Sequence, residues 1–520
     1  MKIFSAKQIK ELDKLTCHVQ NITPLDLMER AAQKCVAFLD KEVKASHYVV
    51  FAGMGDNGGD GFAIARMLFM AGTDVSVVVI KHRSAFSASA EVNFNRIKAI
   101  GVPVLLVDQH ISLHKVFESV KSESVIIDAI FGIGFNGLLP HWIESITKSL
   151  SSDNLSAQMV VSIDAPSGLR FTHDFSGRNT ALVECEILLT FQAPKLTLFF
   201  PEYANAFQRM VVLDIGLEID TYQLLMHLKD GLEEFCYFDQ LPPLKMRART
   251  AHKGSCGHAL VVGGSCGKIG AAVLTTRATI ASGAGLVTAY TPQCGGQIMT
   301  ISIPDAMVIC DEGGHAIAKI DLDLSPYSAI AVGPGLGTSA ATEKAFVQLL
   351  RACHTQKKAL VIDADGLNIL ASNSDLLNLL PPGTILTPHL KELERLIGVS
   401  TKDSHLTRLA LTREFCMRYQ LNVIVKGCFS VVVTQDGLLY FNSSGNQGLA
   451  TAGSGDVLTG VVAGLLASHP TTPIEVSIWA CYLHGLAADI MVDKIGYESV
   501  TASGVIENLG FAFKQSQGLR

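Results

Sequence analysis

No stretch of the 520 residues approaches the ~18 uninterrupted apolar positions that a membrane-spanning helix needs. The amino terminus, MKIFSAKQIKELDKL, carries a charge every few residues and lacks the apolar core of a secretory signal. Cysteine pairs of the C-x-x-C type are absent. The 12 cysteines lie far apart, so they read as reduced thiols in cores rather than a disulfide framework or a zinc site. Charge is scarce too, at 17% of residues against the roughly 25% usual in soluble proteins. The 42 basic and 48 acidic side chains leave a formal net charge of −6, with no long run of either sign. That excludes a nucleic-acid binder working through its overall charge. What is abundant is apolar surface: 48% of residues are hydrophobic, enough for sizeable cores and incompatible with disorder. At ~100–200 residues per domain, more than one folded unit is expected. The bounded expectation is a soluble, cytoplasmic, multi-domain enzyme without nucleic-acid or membrane partners.

From about residue 47, short β-branched runs alternate with helical stretches. Segments 47–52, 74–80, 124–127, 159–163 and 187–191 read as buried strands, with amphipathic stretches at 61–71 and 88–100 between them. Continuous apolar strands separated by helices indicate a parallel sheet covered on both faces. A weaker segment, 221–248, contains DGLEEF and then LPPLK and is the expected linker. Beyond it the alternation resumes at 259–263, 286–290, 329–332, 359–362, 384–386 and 423–426. Segments 431–434 and 438–441 flank Gln435, Asp436 and Gly437, whose Asp-Gly pair signals a hairpin. The expectation is two α/β domains, 1–220 and 249–520, with ligands at the carboxyl ends of their strands.

After the first strand comes GMGDNGGDG, in which Gly53, Gly55 and Gly58 satisfy G-x-G-x-x-G. Glycine lets backbone approach a phosphate, and the next helix offers free N–H groups to it. A dinucleotide fingerprint also needs an acid about 20 residues on to hold the ribose. Here Ile80, Lys81 and His82 end the second strand, so the ordinary dehydrogenase reading fails. The loops DAIFGIG and DAPSGL each place an aspartate at a strand end. Asn57, Asp128 and Ser167 could converge there as hard oxygen ligands for a cation, or each aspartate could merely cap a turn.

The strongest signal lies in NSSGNQGLATAGSGDVLTG, where Gly453, Ser454, Gly455 and Asp456 lead into an apolar helix. Small residues at a helix start let a phosphoryl group reach backbone N–H groups. Asp456 can then take a proton from a hydroxyl attacking phosphorus, although an aspartate there also serves as a cap. GPGLG, DADGLN, TPHLKE and KGCFS supply further loops at strand ends. GGSCGKIG misses the P-loop pattern by one residue. It contains G-x-S-x-G around Ser265, but Lys268-Ile269-Gly270 prolongs a loop that a hydrolase elbow would turn at once into helix.

GMGDNGGDGFAIAR, DAIFGIG, DAPSGL and FQAPK resemble the amino-terminal module of the bifunctional NAD(P)H-hydrate repair enzymes, over residues 4–216. TAGSGD, KG and GPGLG are similar to the ribokinase-like fold, and more closely to the dehydratase of the same enzymes, over 249–513. The resemblance implies a Rossmann-like three-layer α/β domain followed by a larger ribokinase-like α/β domain. It implies epimerisation of R and S hydrates of NADH and NADPH, then dehydration of the S form with ADP or ATP, through phosphorylation and phosphate loss. Carried over by position, Asp56, Asn57, Gly58, Gly59 and Asp60 would touch the hydrate in the first module, with Gly132, Ile133, Gly134, Phe135, Asn136, Gly137 and Leu138. Asp164 would be its acid/base, Lys195 an electrostatic partner, and Asn57, Asp128 and Ser167 the ligands of a potassium ion. In the second module Ala271, Gly335, His389 and Asp456 would contact the hydrate, with Asp456 as base. Lys426, Gly427, Cys428, Phe429, Ser430 and Gly455 would hold the adenine nucleotide, which brings magnesium. A homo-oligomer is expected. The chain departs from the family pattern at Asp56, where Asn is usual, at Lys391, where Gly is usual, and at Gln447, Ala452 and Ser454. The rival reading is a ribokinase-type small-molecule kinase with a non-catalytic first module.

Overall fold

The computed structural model describes every residue except 136, 152–156, 172–180, 222–235, 240, 244–246, 401–403, 470 and 519–520. The chain forms two compact units, Met1–Glu234 and Phe235–Arg520.

The first unit holds seven strands: β1 (His47–Ala52), β2 (Asp74–Ile80), β3 (Val104–Val107), β4 (Ser124–Ala129), β5 (Met159–Ile163), β6 (Cys185–Phe191) and β7 (Phe207–Leu213). They form one parallel sheet in the order β3-β2-β1-β4-β5-β6-β7. Every residue of β1 and β4 is buried, as expected of runs such as HYVVFA and SVIIDA at a sheet centre. The strand order reverses between β1 and β4, and the crevice at that point opens on the loops after both strands.

The second unit holds β8 (Cys236–Phe238), β9 (His258–Val262), β10 (Leu286–Pro292), β11 (Met307–Asp311), β12 (Ala329–Val332), β13 (Ala359–Ile362), β14 (Ile385–Leu386), β15 (Asn422–Val425), β16 (Val431–Val433) and β17 (Leu439–Phe441). Their order is β11-β10-β9-β12-β13-β14-β15-β16-β17-β8. All neighbours run parallel except β15/β16 and β16/β17, which are antiparallel. Gly437, at φ 78°, closes the second of these as the Asp-Gly hairpin expected from sequence. The reversal point lies between β9 and β12, beneath the loops carrying Ser265 and Gly335.

The apolar helix Ser454–Ser468 fills the core of this unit, with Val457, Val461, Val462 and Ala463 fully buried. It lies close against the helix Ile269–Ala281, because a Cβ at Gly460 would fall 2.3 Å from the carbonyl of Thr275. The Thr275 hydroxyl donates to the Asp456 carbonyl at 3.0 Å, fixing the first turn that carries the expected base.

Two differences from the sequence expectation stand out. Part of the expected linker 221–248 is the strand β8, which pairs in parallel with β17; its flanks 222–235 and 244–246 lie outside the described residues. Strands β3, β7, β8 and β11 were not expected at all, and they are the four edge strands of the two sheets. An edge strand keeps one flank in water, so Gln208 and Arg209 of β7 interrupt the apolar run that marks a buried strand.

Candidate functional site

In the first unit Gly55 ends the turn after β1, and the helix Asp56–Met70 starts with free N–H groups directed at the crevice. Asp56 is exposed, whereas Asn57 is 8% exposed, and neither atom of its amide has a hydrogen-bond partner. The Asn57 side chain lies against Gly132, where a Cβ would fall 3.3 Å from its Oδ1. Asp128 is fully buried on β4, and burial raises its carboxyl above the usual range despite the donors around it. Those donors are Ser162 Oγ at 2.9 Å, Ser167 N at 2.8 Å, Ser167 Oγ at 2.5 Å and Ile130 N at 3.3 Å. Ser167 Oγ also accepts from Phe131 N at 2.9 Å, which ties DAPSGL to the loop preceding Gly132. Ile133, Gly134, Phe135, Gly137 and Leu138 continue that loop; Ile133 and Phe135 are half-buried, and Gly134, Gly137 and Leu138 are exposed, Leu138 to 78%; Asn136 lies outside the described residues.

Asp164 follows β5 at φ 63°, a left-handed conformation that aspartate tolerates better than most residues. Lys195, only 1% exposed, sets its Nζ 2.5 Å from Asp164 Oδ1 and 2.7 Å from Thr190 Oγ1. Thr190 in turn donates to the Asp164 carbonyl at 3.1 Å, so lysine, threonine and aspartate form a closed, buried set. The helix Ala6–Gln20 also reaches this place. Phe4, just before it, forms a parallel bridge with Lys195, and a Cβ at Gly134 would fall 3.7 Å from Lys10 Nζ. Asp13 lies in the fields of Asp164, Lys195 and Asp56. Burial first and Asp164 second raise its carboxyl to about 7, with Lys195 acting in the opposite sense. Burial, then Asp164, raises Asp60 as well.

In the second unit Gly453 turns the chain at φ 88° into the helix Ser454–Ser468, a conformation suited to glycine. Asp456 sits in its first turn. Its carboxyl is pushed up to about 6 by burial and then by the charge of Asp363, with Lys426 lowering it and Asp365 raising it. Asp363 is 1% exposed and fully partnered: Oδ1 lies 2.9 Å from Lys426 Nζ, and Oδ2 accepts from Thr459 Oγ1 at 2.7 Å. Lys426 Nζ also lies 3.2 Å from where a Cβ of Gly455 would stand. Ala364 adopts φ 48°, a strained value for alanine, between Asp363 and an Asp365 that accepts from Gly337 N at 2.8 Å.

His389 caps the helix Leu390–Ile397 through Nδ1, which accepts from Lys391 N at 3.1 Å, and it forms a parallel bridge with Lys426. Lys391 is exposed. Gly427 and Cys428 are exposed and Phe429 and Ser430 half-buried in the turn between β15 and β16. The Gly335 carbonyl accepts from Ser265 Oγ at 2.8 Å; that bond uses the hydroxyl the hydrolase reading would need free. Ala271 lies in the next helix, its Cβ 3.3 Å from where one of Gly335 would be.

Residues 259–509 match the family model described as NAD(P)H-hydrate dehydratase, and residues 24–197 match that of the YjeF-related protein N-terminus. The bifunctional NAD(P)H-hydrate repair enzyme of Moorella thermoacetica is 31% identical, over 99% of this chain and 97% of its own. That of Pyrobaculum aerophilum is 30% identical, with 93% of each chain covered. The chain belongs to the bifunctional NAD(P)H-hydrate repair enzymes. Among solved structures, the ADP/ATP-dependent NAD(P)H-hydrate dehydratase of Bacillus subtilis, co-crystallised with ATP/Mg2+, is 27% identical. It aligns with a TM-score of 0.45 over 52% of this chain and 94% of that one.

For a repair enzyme of this family, the carried-over residues gather at the carboxyl ends of the strands within each unit. Sequence reasoning passed over Asp13 and Lys10, which come from a helix remote in the chain and carry no motif of their own. It quoted DADGLN as a loop without giving Asp363 a role; an aspartate directly after a buried strand was the available signal. Among the described residues no group of three His, Cys, Asp or Glu side chains could hold a metal ion. No described helix is long and apolar enough to cross a membrane.

Proposed function

We propose that the unit Met1–Glu234 epimerises R and S hydrates of NADH and NADPH through Asp164 and Lys195. The unit Phe235–Arg520 then dehydrates the S hydrate, with ADP or ATP as phosphoryl donor. The observation that carries this reading is the position of Asp456: a carboxyl raised to about 6, at a helix start, beside a lysine already engaged by Asp363. Such a group is ionised near neutral pH yet basic enough to accept a proton, as a general base requires.

In the dehydratase, Asp456 would take the proton of the ring hydroxyl as its oxygen attacks the terminal phosphorus. The bond from phosphorus to the departing nucleotide breaks as the new P–O bond forms. Gly455 N–H and Lys426 would receive the charge spread over the phosphoryl oxygens. Breaking the ring C–O bond then expels phosphate, and loss of the neighbouring C–H proton restores the ring double bond. Ala271, Gly335 and His389 would hold the hydrate. Gly427, Cys428, Phe429 and Ser430 would line the nucleotide, whose phosphates bring magnesium.

In the epimerase, Asp164 would shuttle a proton at the substrate, and Lys195 would hold its carboxylate in place by direct contact. Asp56, Gly58, Gly59, Asp60 and the loop from Gly132 to Leu138 would receive the dinucleotide. Asn57, Asp128 and Ser167 suit a potassium ion: they are hard oxygen donors, and the buried Asn57 amide has no partner of its own. When bound, the ion would supply a fixed positive charge beside the substrate.

The test incubates mixed R and S hydrates with the protein, with and without ADP or ATP, and follows recovery of reduced cofactor. Complete recovery with nucleotide supports both halves. Recovery limited to the S form would remove the epimerase assignment, and a phosphorylated product accumulating without recovery would point to a kinase.

A further inference from the structure

Two cysteines of the second unit stand outside this chemistry. Strand β9 leads into the loop that bears Ser265, Cys266 and Lys268, and its neighbour β10 leads into the turn Gln293–Gly295, which bears Cys294. The segment after β11 holds the two loops together. Cys266 N–H donates to the His315 carbonyl at 2.7 Å, Cys294 N–H donates to the Gly314 carbonyl at 3.2 Å, and Cys294 Sγ lies 4.0 Å from the same His315 oxygen. Cys266 N–H and Cys294 Sγ thus meet at one carbonyl oxygen, which brings the two cysteines together. Cys266 is exposed and Cys294 half-buried, whereas Cys35, Cys185, Cys236, Cys256, Cys353, Cys416 and Cys481 are all buried.

The loop bearing Cys266 is also a wall of the proposed hydrate site. Ser265 donates to the Gly335 carbonyl at 2.8 Å, and Lys268 Nζ lies 3.4 Å from Asp365 Oδ2, one of the carboxylates whose field reaches Asp456. Gly264 and Gly267 flank Cys266 at φ 85° and 82°, left-handed conformations suited to glycine that turn the loop sharply on both sides of it.

We propose that Cys266 and Cys294 form a thiol–disulfide modification site, oxidised by peroxide, that turns down the dehydratase by locking the Ser265–Lys268 loop in the position where Ser265 bonds Gly335, so that it no longer yields to the hydrate. The inference rests on the dehydratase reading above. The Cys266 thiolate attacks one peroxide oxygen; the O–O bond breaks, and hydroxide leaves and takes up a proton as water, giving a sulfenic acid. The sulfur of Cys294 then attacks that sulfur; the S–S bond forms, the S–O bond breaks, and a second water departs. Two thiols lose two electrons, and one peroxide gains them. Exposure makes Cys266 the first to react, and burial, which pushes the Cys294 thiol up, keeps Cys294 as the resolving partner.

The full chain is treated with hydrogen peroxide, alkylated and digested without reduction, and assayed for both activities. We expect a Cys266–Cys294 cross-linked peptide and a loss of about tenfold or more in dehydratase kcat/KM, chiefly as a rise in KM for the S hydrate. Dithiothreitol should restore the rate. Epimerase activity, which resides in the other unit, should not change. C266S and C294S should keep their dehydratase rate through the treatment, and C310S, which alters another exposed thiol nearby, should respond like the parent chain. Absence of the cross-linked peptide, a cross-link without loss of rate, or equal inhibition of C266S (which would place the sensitivity at another thiol such as Cys428) each overturns the proposal. An untreated, fully reduced enzyme that fails to dehydrate the S hydrate would instead overturn the dehydratase reading, while the peptide map still reads the cross-link.

Discussion

Each unit brings an aspartate and a lysine together at strand ends, yet the pairings differ. In the first, Lys195 touches Asp164 itself, at 2.5 Å, and the closed set with Thr190 leaves the acid tightly compensated. In the second, Lys426 is committed to Asp363, and Asp456 stands one position removed, partly neutralised and raised to about 6. A lysine in direct contact fixes the position of the carboxylate, whereas a lysine behind an intervening carboxylate leaves Asp456 a stronger base. The contrast suits a group that must both give and take a proton in one unit, and a group that only takes one in the other.

Four changes would break or sharpen that contrast. The largest effect is expected from Asp456→Asn: about a 10³-fold loss of dehydratase kcat with epimerase intact, read by reduced-cofactor recovery from pure S hydrate. The folded chain binds the Asp456 proton more tightly than the unfolded chain, so this group favours folding fully below its ordinary 3.8. That contribution is lost as pH rises through about 6. Asp456→Asn should therefore gain thermal stability relative to the parent at about pH 8 and little at about pH 4.

Lys195→Met comes next, because it strands a buried carboxylate. The first unit should lose about 3–5 kcal/mol, seen in denaturant melts, while the S-hydrate dehydratase rate holds. Third, the dehydratase rate should fall about tenfold per pH unit below about 6 as Asp456 takes up a proton, since only its ionised form accepts one. Asp363→Asn removes the second-largest cause of that rise and frees Lys426, so its inflection should move to lower pH. An inflection unmoved by Asp363→Asn would break the account of the second pairing. The smallest effect is expected from Thr459→Val, which removes the 2.7 Å bond to Asp363 at a cost of about 1 kcal/mol.

The centre of each sheet was legible because runs such as HYVVFA are buried on both faces and leave no polar residue to confuse the pattern. Strands β3, β7, β8 and β11 were not, since at an edge the apolar run is short or broken, and β8 lay inside what read as a linker. Site residues within glycine loops were legible because glycine and aspartate at a strand end leave a local trace, as at Gly53 and Gly453. Asp13 left none. Its approach to Asp164 depends on the bridge between Phe4 and Lys195, a tertiary contact that no local pattern records. His389 was read as a hydrate contact, and the structure gives it a capping bond and a place beside Lys426.

The most direct test follows Asp164→Asn on an equimolar mixture of R and S hydrates with saturating nucleotide. Recovery should proceed at the parental rate through the S fraction and then stall, resuming when the isolated parental enzyme is added. Uninterrupted conversion of the whole mixture at the parental rate would contradict the assignment of epimerisation to Asp164.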